Sequence, residues 1–378
     1  MTQLRTFSDP AGGIALAEAG HRDLMGQPMA LRALAGIPAP PSPLIAGPET
    51  VRMAFAPAAD AAAARLYTHK LAHSHYENFS VVSFLLPRRL RQDFCNVYAF
   101  CRTADDLADE VRDRSTALDC LAAFRDQARA MYDGVPTAAI FVALAETVHR
   151  HNIPVTPFLD LIDAFEQDQR VSRYETFEQV VDYCRRSADP VGRLVLYMCG
   201  YSDAERQRLS DKTCTALQLA NFWQDIRRDF LDRDRIYVPI ESMRRFGLDE
   251  QRIRDGIVSG KGDAKFRDLI RFEVERTEAM FAQGSKLTSM LAPSVRGQVG
   301  LFADGGMAIL RAIRRQGFDT LARRPVLSRS QKGRLVCSAL AAALTANLCD
   351  VGAFVRKGVP RRNGSALHGK GRPGGIGE

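Results

Sequence analysis

Two stretches of this sequence place acidic residues at helical spacing inside otherwise apolar surroundings, and any fold of the chain must accommodate both. In the first, Tyr98, Arg102, Asp105 and Asp109 follow i, i+4, i+7 and i+11, so they share one helix face, with Asp106 beside them. In the second, Gln218, Asn221, Asp225 and Asp229 run along one face in the same way. Most charged helix faces are simply solvated. Here both stripes are flanked by apolar residues, and a buried, unpaired carboxylate is costly. Two such helices facing each other across a cavity resolve the conflict if cations fill it. Mg2+ keeps several waters and usually takes one or two protein carboxylates plus substrate phosphate oxygens. The paired stripes therefore predict a polynuclear Mg2+ site of two or three ions that receives a diphosphate. Its candidate ligands are Asp105, Asp106, Asp109, Asn221, Asp225 and Asp229, with Tyr98, Arg102 and Gln218 toward the substrate.

The 378 residues have room for one large domain or two ordinary ones, and 46% hydrophobic content is ample for a core. A net charge of +8 favours anions: phosphorylated substrates, anionic lipid or nucleic acid. The basic residues are scattered or terminal rather than interleaved with exposed aromatics, which argues against nucleic acid. The eight cysteines form no CxxC pair and no metal-type cluster, so they read as reduced core residues of a cytosolic protein. The N-terminus has no basic-then-apolar signal pattern.

Residues 1–64 are dominated by Pro and Ala and read as a disordered extension with one short helix near 15–24. A start site placed too far upstream gives the same texture. Residues 65–355 read as one all-helical domain, its first helix near 61–75 and later ones over 88–110, 115–132, 137–151, 177–200, 210–232, 266–291 and 293–316. Thr156-Pro157 opens another helix, as Pro in a first turn does. Its continuation, Glu166 to Arg170, reads as a solvated face. Pro190 and Gly192 predict a break within 177–200, and such breaks often line cavities. The apolar run in 332–355 is shorter than the roughly 20 residues needed to span a bilayer, and Asp350 interrupts it. It reads as a last packed helix or an interfacial one. The tail, 356–378, opens with Arg356, Lys357, Arg361 and Arg362, which favour an anionic surface. The expected location is cytoplasmic, with peripheral contact on the inner face of the membrane.

The two Asp-rich stretches resemble those of the squalene/phytoene synthase family of head-to-head prenyl synthases. Tyr183-Cys184 followed by Val191-Gly192, and Arg235-Ile-Tyr237-Val-Pro239, are similar to further family signatures. The resemblance implies a terpenoid-synthase bundle, all-α and single-domain, built around a central cavity. It implies Mg2+-dependent chemistry on a prenyl diphosphate through Asp105, Asp109, Asp225 and Asp229. It places Tyr183 at the reacting centre, moving protons or stabilising cations; the plainer reading is a packed aromatic. It assigns Arg235 to the diphosphate, for which a bidentate guanidinium is well suited. It also brings in Asn78 and Phe79 as substrate contacts. Glu77 departs from the family pattern there, and a helix N-terminus packed by Phe79 is the competing reading. Gln224 stands where many relatives carry Arg, so one positive charge beside Asp225 is missing, with Arg227 or Arg228 to compensate.

In such a site Mg2+ neutralises the leaving diphosphate. An apolar, water-poor cavity protects the resulting cation, with Phe79, Tyr98 and Phe222 as candidate aromatic faces. Within the family, the run Tyr183 to Leu194, the Asn78-Phe79 segment and Asn221 to Asp225 look most like the hydroxysqualene-forming branch of hopanoid biosynthesis. That branch converts presqualene diphosphate and water to hydroxysqualene and diphosphate, taking its substrate from the enzyme that makes presqualene diphosphate. No NADPH is expected, and no Gly-rich dinucleotide fingerprint is present. Tyr183 and Asn78 are candidates to position the water. The alternatives are condensation of two farnesyl or geranylgeranyl diphosphates to presqualene diphosphate, squalene or phytoene, and a non-catalytic assembly or membrane-binding protein.

Overall fold

The computed structural model describes residues 48–74 and 87–334 apart from Arg329 and Lys332. The calls on Asn78, Phe79, the apolar run in 332–355 and the basic tail lie outside the described residues. Among those described there is no sheet, only isolated bridges at Pro57–Ala138 and Arg173–Ile236. The all-helical expectation holds.

The chain opens with α1 (Pro48–Ala54) and α2 (Ala61–Ser74). Helix α1 lies inside the stretch read as a disordered extension, so folded structure starts before residue 64. Val51, Ala54 and Phe55 explain the correction: Ala54 is fully buried, and Phe55 packs edge-on against Phe124 at 6.3 Å between centroids. The backbone joins in, Ala139 N donating to Ala56 O at 2.7 Å. The Pro-rich texture around these residues hid a short apolar face.

A single 3-10 turn (Arg88–Leu90) leads into α3 (Arg91–Asp109), the first acidic helix. Then follow α4 (Arg114–Tyr132), α5 (Ala139–His151) and α6 (Thr156–Asp168). Asp113 caps α4 by accepting from Thr116 N at 2.7 Å, and Asn152 ends α5 in the left-handed region at φ 49°. Helices α2 to α6 enclose a core of Phe100, Phe124, Phe141 and Phe158, whose centroids are 4.6 to 5.9 Å apart.

The predicted break appears between α7 (Phe177–Ser187) and α8 (Asp189–Met198), at Ala188 (φ −124°, ψ −49°). Pro190 has no N–H to donate and its ring would clash with the carbonyl one turn back in a continuous helix, so the helix breaks at Ala188 and restarts with Pro190 in the first turn of α8. Helix α8 then packs against α3, α6 and α9 (Ala204–Arg233), the second acidic helix. Gly192 permits that approach: a Cβ there would stand 2.4 Å from Ser210 Oγ and 2.5 Å from Cys214 Sγ. Helix α9 begins six residues before the expected 210 because Asp203 caps it, accepting from Arg206 N at 3.0 Å.

The remainder comprises α10 (Ile240–Arg245), α11 (Glu250–Ser259), α12 (Ala264–Gly284), a 3-10 segment (Ser285–Met290) and α13 (Pro293–Arg315). Helices α12 and α13 flank α9 and close a second core around Phe222, Trp223, Phe266 and Phe281. The indole of Trp223, fully buried, donates to Thr277 Oγ1 at 2.8 Å.

Candidate active site

Helix α3 presents its acids as the spacing predicts, and the structure adds their partners. Arg102 is 1% exposed. Its Nε donates to Asp106 Oδ2 at 2.9 Å, Nη1 lies 3.9 Å from Asp105 Oδ2, and Nη2 reaches Glu110 Oε1 at 3.4 Å. The guanidinium expected to hold substrate thus lies along the carboxylates of its own helix. Asp105 and Asp109 line a cavity, whereas Asp106, about 100° further round, does not. Burial raises the Asp106 carboxyl well above its usual range despite Arg102. Asp109 pairs with Arg233, from the last turn of α9, so the two acidic helices are bridged at this point.

On α9, Gln218 is fully buried, and neither end of its amide has a hydrogen-bond partner among the described residues. Such a group normally has a water or ligand. Asn221 is buried one turn on. Burial and the Asp225 charge both push the Asp229 carboxyl upward. Asp225 is held by Arg324, whose Nη2 donates to Oδ2 at 2.9 Å while Nε grips Oδ1.

Arg324 supplies the charge whose absence Gln224 implied. Of the two expected substitutes, Arg228 also lays its positive charge on Asp229. Arg227 Nη1 donates to Leu321 O at 3.1 Å, and Arg228 Nε donates to Asp232 Oδ2 at 3.2 Å. Gln224 itself donates to Pro325 O. Gln224 and Arg227 therefore fasten the segment after α13 on both sides of Arg324. Sequence reasoning searched near Asp225 in the chain and missed a partner 99 residues away.

The third acid is Asp168. Its expected solvated face is corrected: the side chain is only 6% exposed. Leu161, Phe165 and Asp168 fall at i, i+4 and i+7 on α6, and all three line the same cavity. That register was the available signal. Tyr183 Oη donates to Asp168 Oδ2 at 2.7 Å. Arg235 Nη1 stands 3.5 Å from the same oxygen, and Nη2 donates to Asp168 O at 2.7 Å. Burial raises the Asp168 carboxyl, with Arg235 opposing, and raises the Tyr183 phenol, the Asp168 charge adding to the effect. Arg235 is thus turned onto Asp168.

The loop carrying Arg235 is stitched in place. Asp234 is left-handed at φ 48°; Arg173 Nη2 pairs with its carboxylate at 2.7 Å and with Glu250 at 2.8 Å. Around Tyr183 lie Tyr174, Tyr237 and Phe222. Phe222 stacks on Tyr237 at 3.8 Å and 8°, so that face is covered, and it is not among the cavity-lining residues. Its expected role as a cation-facing ring is not what the structure shows.

Asp105, Asp109, Asp168, Tyr183, Ser187 and Arg233 line a small cavity, completed by apolar residues including Phe165 and Val191. Val191 also borders a second cavity. That one is walled mainly by apolar residues of α8, α9 and α13, among them Val195, Leu217, Val299 and Phe302. A charged compartment and an apolar one thus lie on either side of Val191, just after the α7–α8 break.

Among the described residues, no three His, Cys, Asp or Glu side chains converge closely enough to hold an ion by themselves. The donor chemistry still fits Mg2+. The available ligands are hard carboxylate oxygens on two helices bridged by Asp109 and Arg233, and an ion here would complete its shell with water and substrate oxygens.

A sequence profile of the squalene/phytoene synthase family matches residues 72–331. The chain is 48% identical to squalene synthase HpnC from Alicyclobacillus acidocaldarius, with a TM-score of 0.63 over 68% of this chain and 94% of that structure. It is 33% identical to hydroxysqualene synthase of Sinorhizobium fredii over 57% of this chain and 71% of that one. It is 27% identical to phytoene synthase of Arthrospira platensis, over 72% and 90%. A dehydrosqualene synthase structure, 22% identical, shares the fold at a TM-score of 0.67, over 75% of this chain and 98% of that one. With the profile spanning both acidic helices and the Tyr183 break, the chain belongs to the squalene/phytoene synthase family.

Proposed function

We propose that this chain converts presqualene diphosphate and water to hydroxysqualene and diphosphate in a Mg2+-dependent reaction that needs no NADPH. The observation that carries the reading is a pair of neighbouring cavities that share Val191 beside the α7–α8 break: one charged, lined by Asp105, Asp109, Asp168 and Arg233, the other apolar. The 48% identity to squalene synthase HpnC and the hydroxysqualene synthases at 33% and above support the branch assignment.

Asp105, Asp109, Asn221, Asp225 and Asp229 would hold the metal, which when bound neutralises the leaving diphosphate. Arg233 and Arg324, already beside these acids, add positive charge where the leaving group departs. Gln218 offers its unpartnered amide to the substrate. The apolar cavity holds prenyl chain and keeps bulk water from the cation. Tyr183 and Asp168, hydrogen-bonded to each other, accept a proton when the cation is quenched. A substrate with long apolar chains is delivered most readily at a membrane surface or by the enzyme that makes it. Among the described residues no helix is long and apolar enough to cross a membrane, and the reading places the protein in the cytoplasm, peripheral to the inner face.

Purified protein with Mg2+ and without NADPH should convert presqualene diphosphate to hydroxysqualene, read by mass spectrometry, and should leave farnesyl diphosphate unchanged. A C30 product from farnesyl diphosphate would replace this reading with the condensation reaction, which the phytoene synthases matched over about nine-tenths of their length favour. Absence of Mg2+–pyrophosphate binding would favour the non-catalytic reading.

A further inference from the structure

Ser187 is the last residue of α7, one helical turn beyond Tyr183, so the two side chains share a face. It is 9% exposed, and its hydroxyl has no hydrogen-bond partner among the described residues. Helical serines commonly settle that hydroxyl on a carbonyl one turn back; Ser187 does not. It lines the charged cavity together with Tyr183, Asp168 and Val191, and Val191 is the residue shared with the apolar cavity. The hydroxyl therefore sits at the seam where a diphosphate head and a prenyl chain would meet. Of the neighbouring polar groups, Tyr183 Oη is engaged with Asp168 Oδ2, Asp109 with Arg233, and Asp168 Oδ2 with Arg235 as well, while Asp168 Oδ1 has no hydrogen-bond partner among the described residues and offers a water a second acceptor.

We propose that Ser187 positions the water molecule that captures the carbocation, and so sets the share of alcohol among the products. The inference rests on the hydration reading above. A buried water needs two or more polar partners, and the Ser187 hydroxyl is a donor and acceptor with capacity to spare. In the step, the C–O bond to diphosphate breaks and the diphosphate leaves with the electron pair. The cyclopropylcarbinyl cation left behind rearranges, its ring C–C bonds shifting and opening with no atom gained or lost, and the water oxygen gives a lone pair to the resulting open-chain cationic carbon, forming the new C–O bond. The excess proton passes to the Tyr183 oxygen as Tyr183 hands its own to Asp168. No electrons are gained or lost overall.

The test uses the full chain, Mg2+ and presqualene diphosphate in 18O-labelled water, with products quantified by mass spectrometry. The wild-type chain should give labelled hydroxysqualene. In Ser187→Ala the ratio of alcohol to hydrocarbon formed by proton loss should fall about tenfold, the effect of one lost hydrogen bond in the capturing transition state. Ser187→Thr, which keeps the hydroxyl, should restore most of the alcohol. An unchanged product ratio in Ser187→Ala overturns the proposal while leaving the hydration reading intact. So does loss of alcohol in Ser187→Thr equal to that in Ser187→Ala, since packing rather than the hydroxyl would then be responsible. Absence of alcohol from the wild-type chain overturns both.

Discussion

Arg324 and Asp225 form the pairing most open to a quantitative test. Arg324→Gln keeps a planar hydrogen-bonding end and removes the charge. Two unit charges 4 Å apart interact by about 4 kcal/mol at an effective dielectric of about 20. The Asp225 and Arg324 side chains remain 15% and 20% exposed, and solvent screening lowers the expected loss to about 1–3 kcal/mol. The assay is urea denaturation in EDTA of wild type, Arg324→Gln, Asp225→Asn and the double variant. Arg324→Gln alone should be destabilised by that amount, because it leaves Asp225 beside Asp229 without its cation. In the Asp225→Asn background the same substitution should have almost no effect, so that the coupling energy accounts for nearly all of the single-variant loss. Asp225→Asn alone should lose less than Arg324→Gln, since it also relieves the repulsion that pushes the Asp229 carboxyl upward. Equal losses in both backgrounds would refute the argument that this ion pair balances the acidic face of α9.

Asp105→Ala and Asp225→Ala should each abolish turnover with helicity by circular dichroism unchanged; substantial activity in either would remove the two-helix site. Asp168→Asn should lower turnover by about 100-fold or more if the Tyr183–Asp168 pair moves a proton. It should also reduce stability, since Arg235, 8% exposed, loses its counter-charge. Gly192→Val should destabilise the fold by about 1–3 kcal/mol in urea melts, the usual range for overpacking, because Ser210 and Cys214 already occupy the space of a Cβ. Arg173→Ala should impair activity without touching the cavity, by releasing Asp234 and the loop that aims Arg235; a wild-type rate would make that loop self-supporting.

What the sequence made legible was what helical periodicity encodes. The spacing of Asp105 with Asp109 and of Asp225 with Asp229 placed each pair on one face, and Pro190 announced the break that appears at Ala188. Both signals are local, involving residues within a few turns of one another. Arg324 was invisible for the opposite reason: its partner is 99 residues away, and nothing near it marks an acid-binding role. Asp168 is an intermediate case. Its register with Leu161 and Phe165 was readable, but the polar run from Glu166 to Arg170 outweighed it. Two members of that run behave differently. Glu166 pairs with Arg125 at 2.8 Å, and Arg170 is exposed, so only Asp168 turns into the cavity. Helix α1 was missed because a composition dominated by Pro and Ala masked three apolar residues whose partners lie in helices further along the chain, among them α3 and α4.

The arrangement of charge has one further consequence. Asp109, Asp168 and Asp225 each have an arginine against them, and Arg102 serves the acids of α3. Arginine is the residue best able to do this, because its fork matches a carboxylate and it stays charged when buried. These pairings let Asp105, Asp109 and Asp168 line one cavity and Asp225 sit beside Asp229 on α9, which isolated carboxylates at this depth would not tolerate. They also account for the absence, among the described residues, of a ready-made metal cluster. An ion that takes an oxygen from Asp109 or Asp225 competes with Arg233 or Arg324 for it, and the displaced guanidinium is left beside any diphosphate the ion brings. Positive charge near the acids would then rise from the single charge of a guanidinium to the double charge of the ion, and the guanidinium would add its own near the leaving group. That ordering couples binding of the ion to binding of its anion, as expected of a site whose carboxylates alone are too few to close around a metal.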